Sequence, residues 1–215
     1  MGRYQPNRMY SEDAESIIRR FPSLEDMLRE TAAGDEVAIA PNAADVFVSE
    51  AQIYEAYKSY SQRCPEFQAY FPHHRSTNDN REAIEALWTH GSLDADELRD
   101  LARRATLIIR LASRFFPHLQ SIEESVGQFL GKATFGNAFF NYRDSECFPI
   151  HSDDYNVVAC LHHICKKWRV FSRRQQKRLI WEGTTESHDV LFIPRGFPHA
   201  AQAIEASFHL AIAVN

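Results

Sequence analysis

The sequence predicts an α+β fold: a jelly roll of short antiparallel strands with an N-terminal helical layer packed on it. Three observations carry this prediction. Up to about residue 130, apolar residues recur mostly at helical spacing between capping signals. From Ala133 the pattern changes to short β-type runs joined by brief turns, as in a sandwich or barrel. The triplet His151-Ser152-Asp153 and the distant His199 also suit a jelly roll, whose strands alternate between two sheets and bring remote residues to one mouth.

The elements follow in order. Residues 11–30 predict helix, with Ile17, Ile18, Phe21, Leu24, Met27 and Leu28 near helical spacing. Pro22 interrupts it, Ser23 with Asp26 restarts it as a capping pair, and Gly34 closes it. Residues 37–40 and 46–48 are short strand candidates. Ser49 with Gln52 opens a helix reaching about Ser61, and its Tyr54, Tyr57 and Tyr60 either pack on the core or face a substrate. Residues 64–80 read as loop, including the pair His73-His74. Residues 81–90 predict a helix stopped by Gly91. Asp94 with Glu97 caps a helix through Ala105, residues 106–111 are a strand by their β-branched content, and Pro117–Leu130 is a helix ended by Gly131. Strands are then expected at 133–142, 155–161, 168–171, 178–181, 189–193 and from Ser207 onward. The expected organisation is a mostly helical segment at 1–92 and the barrel with its preceding helices at 93–215, packed as one unit.

Bulk properties narrow the function. The chain has 215 residues, 44% hydrophobic and 25% charged, which is ordinary for a globular domain with a sizeable core. A net charge of -5 gives no global attraction to nucleic acid or an acidic membrane. Four scattered cysteines make no disulfide framework and suit a reducing compartment, so a cytoplasmic location is expected. The polar opening residues form no signal peptide, and no apolar run is long enough to span a bilayer.

The chemistry concentrates on His151, Asp153 and His199. On a strand, residues i and i+2 share a face, so H-x-D aims an imidazole and a carboxylate at one point. The apolar run Val190-Leu191-Phe192-Ile193 enters a tight extended turn set by Pro194, Gly196 and Pro198, which delivers His199. Two histidines and one carboxylate leave open positions on one side of an Fe(II) ion, the arrangement non-haem oxygenases need. H-x-D alone carries little weight in a chain with ten histidines; its ordered context carries the prediction. A rival zinc cluster, Cys160, His162, His163 and Cys165, is disfavoured because strand alternation turns its members to opposite faces.

Taken in order, His151-Ser152-Asp153-Asp154-Tyr155-Asn156-Val157, Lys166-Lys167-Trp168-Arg169-Val170, Asp189 through Gly196 with His199, and Ser207-Phe208-His209-Leu210 resemble the JmjC-type cupin family. The nearest match is its ribosomal-oxygenase branch, whose members hydroxylate arginine or histidine in ribosomal proteins. The likeness covers roughly Asp94 to the C-terminus. It implies a double-stranded β-helix (a jelly-roll cupin) using Fe(II), 2-oxoglutarate as cosubstrate, and O2. By position it implies His151, Asp153 and His199 as iron ligands and Lys166 as the grip on the far carboxylate of 2-oxoglutarate. Asn137 falls on a family position in the strand before the H-x-D. Ser207 and His209 fall on the last strand beside the metal, which implies that they bond the cosubstrate or support the ligands; His209 reads equally as a core histidine satisfied by a backbone group.

Three positions depart from the family pattern: Phe139 stands where a tyrosine is usual, Leu161 where a glutamine is common, and Ile164 where a hairpin glycine is expected. The ribosomal oxygenases also continue into dimerisation and winged-helix modules that this sequence lacks. The implied activity is hydroxylation of a C–H in a peptide or protein side chain. The alternatives are a small-molecule oxygenase and a non-catalytic metal-binding cupin. Nucleic acid and membrane are not implied as partners, and the basic run from Lys166 to Arg178 reads first as a solvated hairpin face.

Overall fold

The final strand, Ser207–Val214, runs through the interior of an eight-stranded sheet and is buried on both faces because both are covered. The computed structural model describes residues 18–31, 34–60, 64–71, 94–142, 148–162, 165–175 and 178–215. Its strands are Arg19–Arg20 (β1), Ala38–Ala40 (β2), Phe67–Tyr70 (β3), Thr106–Ile109 (β4), Thr134–Asn141 (β5), Asn156–His162 (β6), Lys166–Phe171 (β7), Leu179–Thr185 (β8), Val190–Ile193 (β9), His199–Ala203 (β10) and Ser207–Val214 (β11). The large sheet has the order β1-β2-β9-β6-β11-β5-β4-β3 and the small sheet the order β10-β7-β8. All pairings are antiparallel except β1 with β2. The described helices are Leu24–Thr31 (α1), Glu50–Tyr60 (α2), Ala95–Arg104 (α3) and Pro117–Leu130 (α4).

Strand alternation divides the core in two. Ala138, Phe140, Val158, Cys160, Phe192, Phe208, Leu210 and Ile212 pack against Met27 and Leu28 of α1, Leu98 and Leu101 of α3, and Leu119 of α4. Their neighbours in sequence, Val157, Ala159, Leu161, Leu191 and Ile193, face the small sheet and meet Trp168, Val170 and Trp181. A helical layer thus covers one face of the large sheet and the small sheet covers the other, which is the jelly-roll cupin expected from the sequence. Each fully buried side chain of this kind contributes roughly 1.5–3 kcal/mol of hydrophobic stabilisation before entropy is counted. Among the described residues, no helix is long and apolar enough to cross a membrane.

The caps that fix the helices form as expected. Asp94 and Glu97 make a reciprocal capping box on α3. Ser49 and Gln52 do the same ahead of α2, and Ser23 accepts from the Asp26 amide at the start of α1. Gly131 ends α4 at φ 61°.

Several expectations need correction. Arg19–Arg20, placed in a helix over 11–30, is a strand. The backbone bonds from Arg19 N–H to Val37 and from Phe21 N–H to Ile39 outweigh helical spacing, and Pro22 then separates the strand from α1. The strand expected at 46–48 is irregular backbone, although Val46 and Val48 are fully buried. Within the expected loop at 64–80, Phe67–Tyr70 forms β3 by pairing with β4. The strand expected over 106–111 stops at Ile109, because Leu111 turns left-handed at φ 52°. His199 opens a strand of its own rather than merely ending a turn. Tyr54 and Tyr57 pack in the core, the first of the two readings given for them, so no correction is needed there. The helix expected at 81–90, residues 11–17 and the pair His73-His74 lie outside the described residues.

Candidate metal centre and its surroundings

Backbone pairing brings the predicted ligands together. His151 is not part of a regular strand, as the H-x-D reading supposed; it makes an isolated antiparallel bridge with His199. The two residues exchange backbone hydrogen bonds, 3.1 Å from the His151 amide and 2.8 Å from the His199 amide. Asp153 follows in extended backbone, and its carbonyl accepts from Gly196 N–H at 2.9 Å. Gly196 sits at φ 78° in the third position of the turn Pro194–Phe197, closed by a 3.2 Å bond from Phe197 N–H to the Pro194 carbonyl. That geometry is a type II turn, whose third position favours glycine. Asn156 holds the same turn by accepting from Arg195 N–H at 2.8 Å. The turn after β9 and the segment before β6 are therefore locked to each other.

One ligand atom each from His151, Asp153 and His199 lies within 4.8 Å of the others, and among the described residues this is the one group of His, Cys, Asp and Glu that could hold a metal. The tautomers suit such a role. Nδ1 of His151 lies 2.9 Å from the Pro149 carbonyl, and Nδ1 of His199 lies 3.0 Å from the Phe197 carbonyl. A carbonyl only accepts, so both Nδ1 atoms carry the proton and both Nε2 atoms present lone pairs. Nε2 of His199 stands 3.6 Å from Asp153 Oδ2. Burial, then the neighbouring His151, lower the His199 pKa from the usual imidazole range, so its neutral, ligating form is favoured. His199 is buried while His151 is exposed, so the site is closed on one side and open on the other. Two nitrogens and one carboxylate converging on one point fit a divalent transition ion with further positions available.

A second group of buried polar side chains links the two sheets. Lys166 is fully buried. Its Nζ lies 2.7 Å from His209 Nδ1 and 3.4 Å from Asn141 Oδ1. Lys166 and Trp168 share a strand face, as expected, and both are buried. Phe139, His209 and Leu161 are register partners across β5, β11 and β6, and Asn141 is the register partner of Ser207. Ser207 Oγ is buried without a hydrogen-bond partner among the described residues. A buried ammonium bonded to Asn141, and an unsatisfied hydroxyl on the register partner of Asn141, are groups that a carboxylate satisfies. Phe139, the position that departs from the family pattern, stacks on the His209 ring at 4.8 Å and 10°.

The remaining predicted residue sits differently. Asn137 is buried, and its Oδ1 accepts from the backbone of Leu111 at 3.2 Å, holding that residue in its left-handed conformation. Three neighbours were not singled out from the sequence. Asn141 could have been found from the alternation of 137, 139 and 141 on one strand face. Phe148, whose ring lies 5.7 Å from that of His151 and stacks on Tyr70 at 4.4 Å, had no local signal. Tyr155, bonded to Asp153, has its phenol pKa raised by burial and then by the Asp153 charge. Burial pushes the Cys160 thiol up to about 12, and His163, another member of the rival zinc cluster, lies outside the described residues. In the basic hairpin, Lys167 pairs with Glu182 at 2.9 Å and Arg173 with Asp35 at 3.1 Å.

Comparison with known proteins adds the following. Residues 110–215 match the family model of the JmjC domain. No curated protein matches the sequence. The crystal structure of the Escherichia coli ribosomal oxygenase YcfD superposes with a TM-score of 0.60 at 14% identity, covering 89% of this chain and 51% of that one. YcfD in complex with cobalt and 2-oxoglutarate gives a TM-score of 0.57 at 14% identity, covering 88% of this chain and 50% of that one. The complex with cobalt and succinic acid gives the same values, 0.57, 14%, 88% and 50%. The chain spans about half the length of these structures, and at such identity the likeness is one of fold.

Proposed function

From the match of residues 110–215 to the JmjC domain and the shared fold, we propose that the chain is an Fe(II)- and 2-oxoglutarate-dependent oxygenase that hydroxylates a C–H of a peptide or protein side chain. The observation that carries the reading is the convergence of His151, Asp153 and His199, with both Nε2 atoms free of backbone bonds, in a barrel that also holds a buried lysine.

In this reading His151, Asp153 and His199 hold the iron. The carbonyls of Pro149 and Phe197 fix the two imidazole planes, and Tyr155 steadies the carboxylate. Lys166 binds the far carboxylate of 2-oxoglutarate, and Ser207 completes that grip. His209 lies beside the carboxylate and supports Lys166; Asn137 shapes the wall by holding Leu111. When bound, iron with O2 and 2-oxoglutarate supplies the oxidising chemistry, giving succinate, CO2 and a hydroxylated substrate. The chain's own part is positioning and exclusion of water on the His199 side. The likeness to YcfD, a ribosomal oxygenase that was solved with cobalt and 2-oxoglutarate, supports both the cosubstrate and a protein substrate. The pairing of β2 with β9 and of β3 with β4 supports treating residues 1–92 and 93–215 as one unit, and the free cysteines suit a reducing compartment such as the cytoplasm.

The test is succinate formation from 2-oxoglutarate after anaerobic Fe(II) loading. Turnover is expected to require both, and to vanish in His151→Ala and Asp153→Ala; turnover unchanged in either variant overturns the assignment. Mass spectrometry for a gain of one oxygen, run against peptide and metabolite pools, then decides between a protein and a small-molecule substrate.

A further inference from the structure

A lysine side chain has four rotatable bonds, so a buried ammonium holds a carboxylate in one place only if something holds the ammonium first. Two neutral groups stand beside this ammonium. His209 Nδ1 is 2.7 Å from Lys166 Nζ, and Asn141 Oδ1 is 3.4 Å away. An ammonium only donates, so Nδ1 of His209 accepts, and the imidazole carries its proton on Nε2. Burial, and then the nearness of Lys166 and His199, keep the His209 pKa well below the usual imidazole range, in agreement with that tautomer. A carboxylate in the place of the imidazole would neutralise the ammonium; an imidazole and an amide orient it without themselves neutralising it.

The imidazole is itself clamped. Phe139 lies flat against it at 4.8 Å and 10°, and Trp168 meets it edge-on at 5.7 Å and 80°. Trp168 is fixed in turn by Nε1 donating to Thr185 Oγ1 at 2.8 Å, and Thr185 Oγ1 donates to the Lys166 carbonyl at 3.3 Å. The Trp168 ring also stands 6.0 Å from Lys166 Nζ, within cation–π reach. A face on one side and an edge on the other stop the His209 ring from turning, so the direction of its Nδ1 lone pair is set.

We propose that His209 is a positioning residue for the cosubstrate anchor: clamped by Phe139 and Trp168, it aims the Lys166 ammonium at the far carboxylate. This rests on the reading of Lys166 as that anchor. It assigns Phe139 a task its ring performs without a hydroxyl, namely holding the imidazole plane.

The experiment measures binding of 2-oxoglutarate and of succinate to the full chain loaded with Co(II), with Co(II) affinity measured separately. His209→Leu is expected to weaken both dicarboxylates by about tenfold or more while Co(II) affinity stays within about twofold. His209→Asn, which returns an acceptor near the position of Nδ1, is expected to recover most of that loss. In turnover the effect of His209→Leu is a raised KM for 2-oxoglutarate with kcat little changed. Should His209→Leu fail to fold, Phe139→Leu decides, with an expected weakening of about threefold as the imidazole loosens. Unchanged dicarboxylate binding in His209→Leu, or equal weakening by Leu and Asn, overturns the positioning role and leaves the anchor standing. Absence of dicarboxylate binding in the unaltered, Co(II)-loaded protein overturns the anchor itself, and with it both readings.

Discussion

At the scale of single residues, the site works by keeping imidazoles neutral. His199 and His209 are both buried, and both are held below the ordinary imidazole pKa by that burial and by nearby charge. The unfolded chain takes up protons on these groups below about pH 6.5, where the folded chain does not. Stability of the metal-free protein is therefore expected to be intact above that pH and to fall as the pH drops below it, by about 1.4 kcal/mol per pH unit for each such group. Urea unfolding between pH 7.5 and 5.5 checks this, and His209→Asn should show a shallower fall; identical slopes would mean that His209 is not kept neutral by the fold. A second expectation concerns the ligands. Removing His151 or Asp153 deletes a donor rather than a donor's support, so Co(II) affinity should drop by more than the roughly 10–100-fold typical of losing a supporting partner. Calorimetry on His151→Ala and Asp153→Ala reads that loss directly.

At the scale of elements, the sequence was most legible where one short stretch fixes its own structure. The helices announced themselves through Asp94 with Glu97, Ser49 with Gln52, and Pro117 with Gly131, because caps act within three or four residues. The strands β1, β3 and β10 were missed because they are short, and each exists only through a partner far away or through a chain reversal that periodicity cannot see. The H-x-D triplet with a later histidine was legible as spacing, but its support was not: the bridge between His151 and His199 is a tertiary fact. The turn that makes this bridge is the element to test. Gly196 has φ 78°, and an added Cβ would meet Arg173 Nε at 3.3 Å. Gly196→Val is expected to cost about 1–3 kcal/mol through backbone strain and to weaken metal binding, since the turn carries both His199 and the Asp153 carbonyl contact. Gly196→Asn should be milder in both respects, because asparagine tolerates the left-handed region. Thermal melts with parallel Co(II) titrations check this; equal effects of Val and Asn would show that conformation at this position is not the cause.

At the scale of the whole molecule, the metal ligands sit where the two sheets are joined. His199 begins β10 of the small sheet, while Asp153 precedes β6 and Pro194 follows β9, both strands of the large sheet. An ion shared by His151, Asp153 and His199 therefore ties the segment entering one sheet to the strand opening the other. Such a tie exists only in the folded chain, so an ion bound there stabilises the fold by about 2.7 kcal/mol at a concentration 100 times its Kd. For a domain of this size each kcal/mol raises Tm by roughly 2–4 °C, so saturating Co(II) or Mn(II) should raise it by roughly 5–11 °C. The rise should reverse with chelator and be absent in His151→Ala. A metal adsorbed at surface acids would instead shift the melting of the variant as much as that of the parent. Equal shifts in the two proteins would therefore detach the ion from this junction and show that the cupin holds its sheets together without it.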